Sequence, residues 1–219
     1  VGPIEDDAGV AYLRPETAGG IFAQFANVME TSRQKLPFGI AQMGKAFRNE
    51  ITTGNFLFRL RELEQMEIEY FIRASDWEKL FEHWRKEMWK WFDLVGIDAQ
   101  KVHEHEIPDG ERAHYSKRTI DFEFDYPFGT KELYGLAYRT DYDLNRHQKY
   151  SGQDLSYTDP ESGEKFVPHV IEPTWGVDRT FLAVLLSAYS EDDKRVVLKL
   201  APRIAPYKIA VFPLVANKE

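Results

Sequence analysis

Basic and acidic side chains cluster in the stretch Phe47-Arg48-Asn49-Glu50, a turn signal at Thr52-Thr53-Gly54-Asn55, and the following Arg59, Leu63 and Glu67. On a strand, Arg48 and Glu50 share one face. After a Gly-containing turn, a returning strand sets Arg59, Arg61 and Glu67 on a facing row. Guanidinium forks match phosphate oxygens and carboxylates match an ammonium, so this surface can hold an anionic phosphate beside a cationic amine. The same residues equally make an exposed hairpin with cross-strand ion pairs, each worth about 0.5 kcal/mol. Spacing alone does not separate the two.

Two further clusters carry less. Gly39-Ile40-Ala41-Gln42-Met43-Gly44-Lys45 matches most of a phosphate-binding P-loop, but Ala46 replaces the magnesium-holding Ser or Thr and Phe47-Arg48-Asn49-Glu50 is no helix start. His103 and His105, with His114 nearby, share a strand face as a zinc pair does, yet no third ligand has a characteristic spacing. Solvated polar residues are the better account of those histidines.

Regular elements must position these groups. After Arg14-Pro15-Glu16-Thr17, Ile21, Phe22, Phe25, Val28 and Met29 recur at helical spacing up to Pro37. A second helix spans about 76–95. Ser75 and Glu78 have capping-box spacing, Leu80, Phe81, Trp84, Met88, Trp91 and Phe92 form a stripe, and Gly96 is the stop. A third runs from about Asp178 to Tyr189. Strands are expected over 38–51, 118–126, 134–138 and 207–215, with Ile120, Phe122 and Phe124 on one side and Asp121, Glu123 and Asp125 on the other. The stretch Ser190 to Lys194 reads as a linker. Phe56 to Ile72 is ambiguous: its Leu, Arg, Glu, Gln and Met favour a helix, while alternation as a strand lines up Arg59, Arg61, Leu63, Gln65, Glu67 and Glu69. The irregular mixture of elements favours an α+β fold over a doubly wound sheet.

Composition sets the outer bounds. The 219 residues carry a net charge of −8, are 43% hydrophobic and contain no Cys. That supports a packed core and excludes disulfides, a thiolate nucleophile and Cys-based metal centres. The longest apolar stretch, near Thr180 to Tyr189, is roughly half the ~20 residues a membrane span needs. Val1 to Ala11 carries Glu5, Asp6 and Asp7 where a signal peptide carries cations. A non-membrane, cytoplasmic protein is therefore expected. A negative chain covers phosphate backbones poorly, so an RNA partner must be gripped locally or by residues outside this sequence.

Phe47-Arg48-Asn49-Glu50 through Glu67 resembles the second signature motif of the class II aminoacyl-tRNA synthetases, and Glu172-Pro173-Thr174-Trp175-Gly176-Val177-Asp178-Arg179 resembles the third. Arg14-Pro15-Glu16-Thr17-Ala18, Glu132-Leu133-Tyr134-Gly135 and Arg139-Thr140-Asp141-Tyr142-Asp143-Leu144 resemble blocks of the homodimeric, single-chain glycyl-tRNA synthetase family. The resemblance implies an antiparallel sheet flanked by helices, with Phe56 to Ile72 in a motif 2 hairpin. It implies a catalytic core over 1–193 that lacks the first class motif, and over 194–219 a linker and the beginning of an anticodon-binding domain. Val1 in place of an initiator Met suits a fragment.

The implied activity is ATP-dependent formation of glycyl-adenylate and transfer of glycine to tRNA(Gly). Arg48 would grip the α-phosphate; Arg179 would hold the distal phosphates and stack on adenine. Asn49, Glu50, Phe58, Arg59, Arg61, Glu62, Leu63, Leu133 and Gly176 would complete the ATP site with Glu132. Glu132 and Glu172 would hold Mg2+. For glycine, Glu16, Glu67 and Glu172 form an acidic cage, Arg139 faces the substrate carboxylate, and Leu63, Glu64, Gln65, Met66 and Thr174 complete the pocket. Three residues depart from the family pattern: Leu63 where Phe is usual, Thr174 for Ser and Gly19 for Gln. The alternative is a catalytically impaired synthetase-like fragment or paralogue that binds RNA or protein.

Overall fold

The computed structural model describes residues 10–214, so most of the acidic stretch at Val1 to Ala11 lies outside the described residues. Helix α1 (Ala18–Ser32) leads into strand β1 (Phe38–Phe47), and β2 (Glu62–Ile72) returns antiparallel to it from Phe38↔Phe71 to Phe47↔Glu62. Then come α2 (Trp77–Val95), β3 (Val102–Glu106), β4 (Arg118–Tyr126), β5 (Gly129–Thr140) and α3 (Tyr142–Ser151). A short pair, β6 (Tyr157–Thr158) and β7 (Lys165–Phe166), precedes β8 (His169–Gly176) and α4 (Val177–Ala188). A closing hairpin joins β9 (Tyr189–Asp192) to β10 (Arg195–Leu198). Six strands form one antiparallel sheet in the order β1-β2-β8-β5-β4-β3. This is the α+β sheet-and-helix fold expected.

Strand alternation divides the sheet into two unlike faces. Ile120, Phe122 and Phe124 of β4, with Tyr134, Leu136 and Tyr138 of β5, pack against Phe81, Met88 and Phe92 of α2 and Ala183 and Val184 of α4. The other face is apolar at one end only, where Phe22 and Phe25 of α1 meet Phe38, Phe71, Leu144 and Val170. The rest of that face stays polar and open. Arg73 at the end of β2 bonds Asp159 at 2.5 Å and Glu164 at 2.6 Å, fastening the β6–β7 segment to the sheet.

Several expected boundaries move. The spacing of Ser75 and Glu78 produces no capping box: a turn of 3-10 helix, Ala74–Asp76, precedes α2, and its N-cap Asp76 makes no side-chain bond. The strand expected over 38–51 stops at Phe47, and 134–138 is the middle of a longer strand. The polar stretch Ser190 to Lys194 is hairpin rather than linker. No strand forms over 207–214; Ile209, Val211 and Phe212 are exposed there, and residue 215 lies outside the described residues. Apolar composition suggested a strand, but no described strand pairs with that stretch.

The stop at Gly96 is as expected. Its φ is +72°, and an added Cβ would lie 2.9 Å from the Ala201 methyl carbon. Both backbone and space disfavour a side chain, so Gly96→Ala is expected to lower stability by about 1–3 kcal/mol. Denaturant unfolding measures it; an unchanged midpoint would contradict this account of the helix end.

Candidate active site

The polar face of the sheet holds a cleft of about 350 Å³. Its floor is built by alternation. Along β2, Gln65, Glu67 and Glu69 are buried on the cleft side, while Met66, Ile68 and Tyr70 pack toward α2. Register then carries the row across the sheet: Glu67 pairs Thr174, Thr174 pairs Gly135, and Gly135 pairs Asp121.

Acids gather at one end. The Thr17 hydroxyl donates to one oxygen of Glu67, and the Thr174 hydroxyl donates to the other at 3.4 Å. Thr17 is delivered by the segment before α1, which is sewn to β1: Phe47 N donates to Arg14 O at 2.8 Å and Arg14 Nε to Lys45 O at 2.7 Å. Burial raises the Glu67 carboxyl above its ordinary value; Thr17 and Arg139 oppose the shift and Glu16 adds to it. Behind it Glu172 accepts from Arg139. Arg139 is only 2% exposed. Its Nε and Nη2 donate to Asp143 at 2.8 and 2.9 Å, and its guanidinium lies 3.9 Å from the centre of the Tyr115 ring.

Cations line the cleft as well. Arg48 N donates to Arg61 O at 2.9 Å and Arg48 Nε to Pro15 O at 3.2 Å, which seats this arginine at the mouth of the β1–β2 hairpin. Arg179 sits in the first turn of α4. Its guanidinium packs 4.3 Å from the centre of the Phe58 ring, Nε donates to Phe58 O at 3.2 Å, and Nη1 donates to Glu132 O at 2.8 Å. Beside it, Asp178 accepts from Glu64 N at 2.9 Å and ties α4 to β2. Arg48, Arg59 and Arg179 thus line the same cleft as Glu16, Glu67 and Glu172. The one cleft therefore offers both phosphate-matching and ammonium-matching groups.

Residues 4–189 match the model of the tRNA synthetase class II core domain (G, H, P, S and T). The chain belongs to the class II tRNA synthetase core family. It is 53% identical to the glycine–tRNA ligase of Streptomyces coelicolor and 51% identical to that of Thermobifida fusca; each match covers 100% of this chain and 50% of the relative. The chain therefore spans about half the length of the curated relatives it matches. Its fold is similar to that of Giardia lamblia prolyl-tRNA synthetase in complex with prolyl-adenylate, with a TM-score of 0.64, 17% identity, and coverage of 78% of this chain and 32% of that one.

Within this synthetase core the structure gathers most of the residues singled out in the sequence. Besides the charged groups named above, the cleft is lined by Glu50, Phe58, Leu63, Glu64, Gln65, Glu132, Leu133, Thr174 and Gly176. Five expected residues are placed elsewhere. Met66 lies on the opposite face, because alternation about Glu67 turns it toward α2. Glu62 is exposed and paired with Lys45. Arg61 Nε donates to Glu50 O at 2.9 Å, and Asn49 is exposed away from the lining. Arg139 is buried against Asp143 and Glu172, so its donors are committed within the protein rather than offered to a substrate carboxylate.

The expected Mg2+ ligands do not converge. Glu172 pairs Ala137 across the sheet, and Glu132 stands five residues further along β5, about 16 Å away at strand spacing. Glu172 is also engaged by Arg139, and Glu132 lies 3.3 Å from Arg179. These two carboxylates do not fit one shared ion. Of the minor candidates, Gly39 to Lys45 lies within β1 with no helix after it, and His103 and His105 sit in β3, 2.8 Å from Asp125 and 3.8 Å from Glu123.

Sequence reasoning did not single out Thr17, Tyr115, Asp178 or Asp121 as site residues. Asp121 lines the cleft, and burial, with Glu132 adding, pushes its carboxyl up to about 6. The alternation of β4 placed Asp121 on the polar side; only the pairing with Gly135 shows that this side faces Thr174 and Glu67.

Proposed function

We propose that this chain is the catalytic core of a glycine–tRNA ligase, which joins glycine to ATP as glycyl-adenylate and passes the glycyl group to tRNA(Gly). The observation that carries it is the single cleft holding Arg48 and Arg179 together with Glu16, Glu67 and Thr174. The relatives about 50% identical to it are glycine–tRNA ligases.

In the first step a glycine carboxylate oxygen attacks the α-phosphorus of ATP, the bond to the β-phosphate bridging oxygen breaks, and pyrophosphate leaves. In the second a tRNA 3′-terminal hydroxyl attacks the activated carbonyl and AMP leaves. No protein nucleophile is required; alignment and charge stabilisation do the work. Arg48 and Arg179 neutralise the triphosphate, while Glu67 and Glu16 hold the ammonium so that the carboxylate faces the α-phosphorus. Before ATP arrives Arg179 rests on Phe58 and Glu132, so binding exchanges those contacts for phosphate oxygens. Glycine has no side chain to read. Selection then comes from the ammonium and from the methyl of Thr174 and the buried floor crowding a Cβ.

The proposal retains a homodimeric, cytoplasmic enzyme, with 1–193 as core and 194–219 as the start of an anticodon-binding unit. The β9–β10 turn spans that division, and Leu200 and Ile204 still pack on the core. A full-length polypeptide carrying these residues is expected to catalyse glycine-dependent ATP–pyrophosphate exchange and to discriminate strongly against alanine. No exchange with glycine would overturn the proposal.

A further inference from the structure

Glu69 lies on the cleft side of β2 but has no assigned role in the site just described. It is fully buried, and neither carboxyl oxygen has a hydrogen-bond partner among the described residues. The β2–β8 register, with Glu67↔Thr174 on one side and Tyr70↔Ile171 on the other, sets Glu69 opposite Glu172. Oxygens of Glu67, Glu69 and Glu172 lie within 4.8 Å of one another. Taking glycine as the ligand of this cleft, we propose that Glu69 is a positioning residue: it carries a proton and donates it in a hydrogen bond to Glu172, holding Glu172 on Arg139 and leaving the ammonium to Glu67 and Glu16.

The groups around Glu69 leave few alternatives. From its own strand it faces Glu67, from β8 Glu172, from β5 Arg139; Asp143 of α3 and Glu16 of the segment before α1 stand behind Arg139. Arg139 is the cation among them, and its donors go to Asp143 and Glu172, with Glu16 at 4.0 Å. An ionised carboxylate with neither solvent nor a donor is strongly disfavoured, and such a group takes up a proton instead. Burial accordingly drives the Glu69 carboxyl well above its ordinary value, with the neighbouring Glu172 charge next in size and Arg139 opposing.

The acceptor follows by the same accounting. Both oxygens of Glu67 already receive hydroxyl donors, from Thr17 and Thr174. Glu172 takes its donor from Arg139 on Oε2; burial pushes its carboxyl up to about 7, and the Arg139 contact opposes that rise in favour of the charged form. A neutral Glu69 therefore gives Glu172 a second donor from below. It also subtracts one negative charge from a cluster that otherwise sets three carboxylates against a single guanidinium.

The test compares Glu69→Ala and Glu69→Gln in a full-length polypeptide carrying these residues, by pyrophosphate exchange at varied glycine and by infrared difference spectroscopy. Glu69→Ala is expected to raise the glycine KM about tenfold or more, with the ATP KM within about twofold, the scale of one buried donor lost to a charged acceptor. Glu69→Gln, whose amide N–H can replace the acid O–H, is expected to recover most of that loss. The carbonyl stretch of a protonated carboxyl should be present in the parent protein and missing from Glu69→Gln. An unchanged glycine KM in Glu69→Ala, or a Glu69→Gln variant as impaired as Glu69→Ala, overturns the proposal. So does an infrared difference lacking the acid band, which also decides the matter if Glu69→Ala does not fold. A parent protein with no glycine-dependent exchange defeats the glycine reading instead, and the band still reports on the proton.

Discussion

Replacing Glu67 by Gln is expected to lower kcat/KM for glycine in pyrophosphate exchange by about 10²–10³-fold, while the ATP dissociation constant stays within about threefold. Glu67 is a buried carboxylate whose two oxygens are aligned by Thr17 and Thr174. An incoming ammonium meets an acceptor already fixed in place. Gln offers one oxygen to two hydroxyl donors and turns an N–H group toward the cation, so attraction becomes repulsion between donors. In the proposed arrangement ATP is held by Arg48 and Arg179 rather than by Glu67, so its binding should change little. Stability supplies the control. Burial raises the folded Glu67 carboxyl above its unfolded value, so its contribution is lost as pH rises through the folded value, and Gln removes that penalty. Thermal stability at neutral pH should therefore hold or increase. Unchanged glycine kinetics would remove Glu67 from the amine site.

Arg139→Ala is expected to destabilise the fold by about 3–5 kcal/mol, measured by denaturant unfolding. The side chain reaches across three elements: it bridges Asp143 of α3 with two bonds, binds Glu172 of β8, and stacks on Tyr115. Removing it leaves Glu172 without its cation in a buried setting and frees α3 from the sheet. Arg139→Lys should restore only part of the loss, because an ammonium cannot reproduce a planar fork shared between two carboxylates. A cost below about 1 kcal/mol for Arg139→Ala would mean that water reaches the cluster and screens it.

What could be read in the sequence was what local pattern and motif type dictate. Ile120, Phe122 and Phe124 alternate with acids and form β4 with the ends expected, and Gly96 ends α2 in a left-handed conformation. The stretch Phe56 to Ile72 shows the limit of propensity. Its residues are good helix formers, yet Glu62–Ile72 is a strand because pairing with β1 on one side and β8 on the other outweighs a few tenths of a kcal/mol per residue. Arg48, Glu67 and Arg179 could be assigned to one site from their motifs, and they line one cleft. Met66 is a sequence neighbour of that site, but alternation about Glu67 turns it to the other face, and Glu62 is exposed and taken up by Lys45. Pairing Glu132 with Glu172 failed for a related reason: both carboxylates lie on neighbouring strands, and no local pattern tells how far apart the register sets them. Asp121, Thr17 and Glu69 depend on three-dimensional register and burial, to which no spacing in the chain corresponds.

The two-faced character of β2 has a bearing on folding itself. A shift of β2 by one residue against its neighbours would turn Gln65, Glu67 and Glu69 into the hydrocarbon layer beneath α2 and bring Met66, Ile68 and Tyr70 out beneath open water. Such a slip would be costly, since each displaced carboxyl would enter the apolar layer without a cation at hand. The acids that floor the cleft thereby also act as a check on strand assembly: a one-residue slip that buries them beneath α2 also abolishes the pocket.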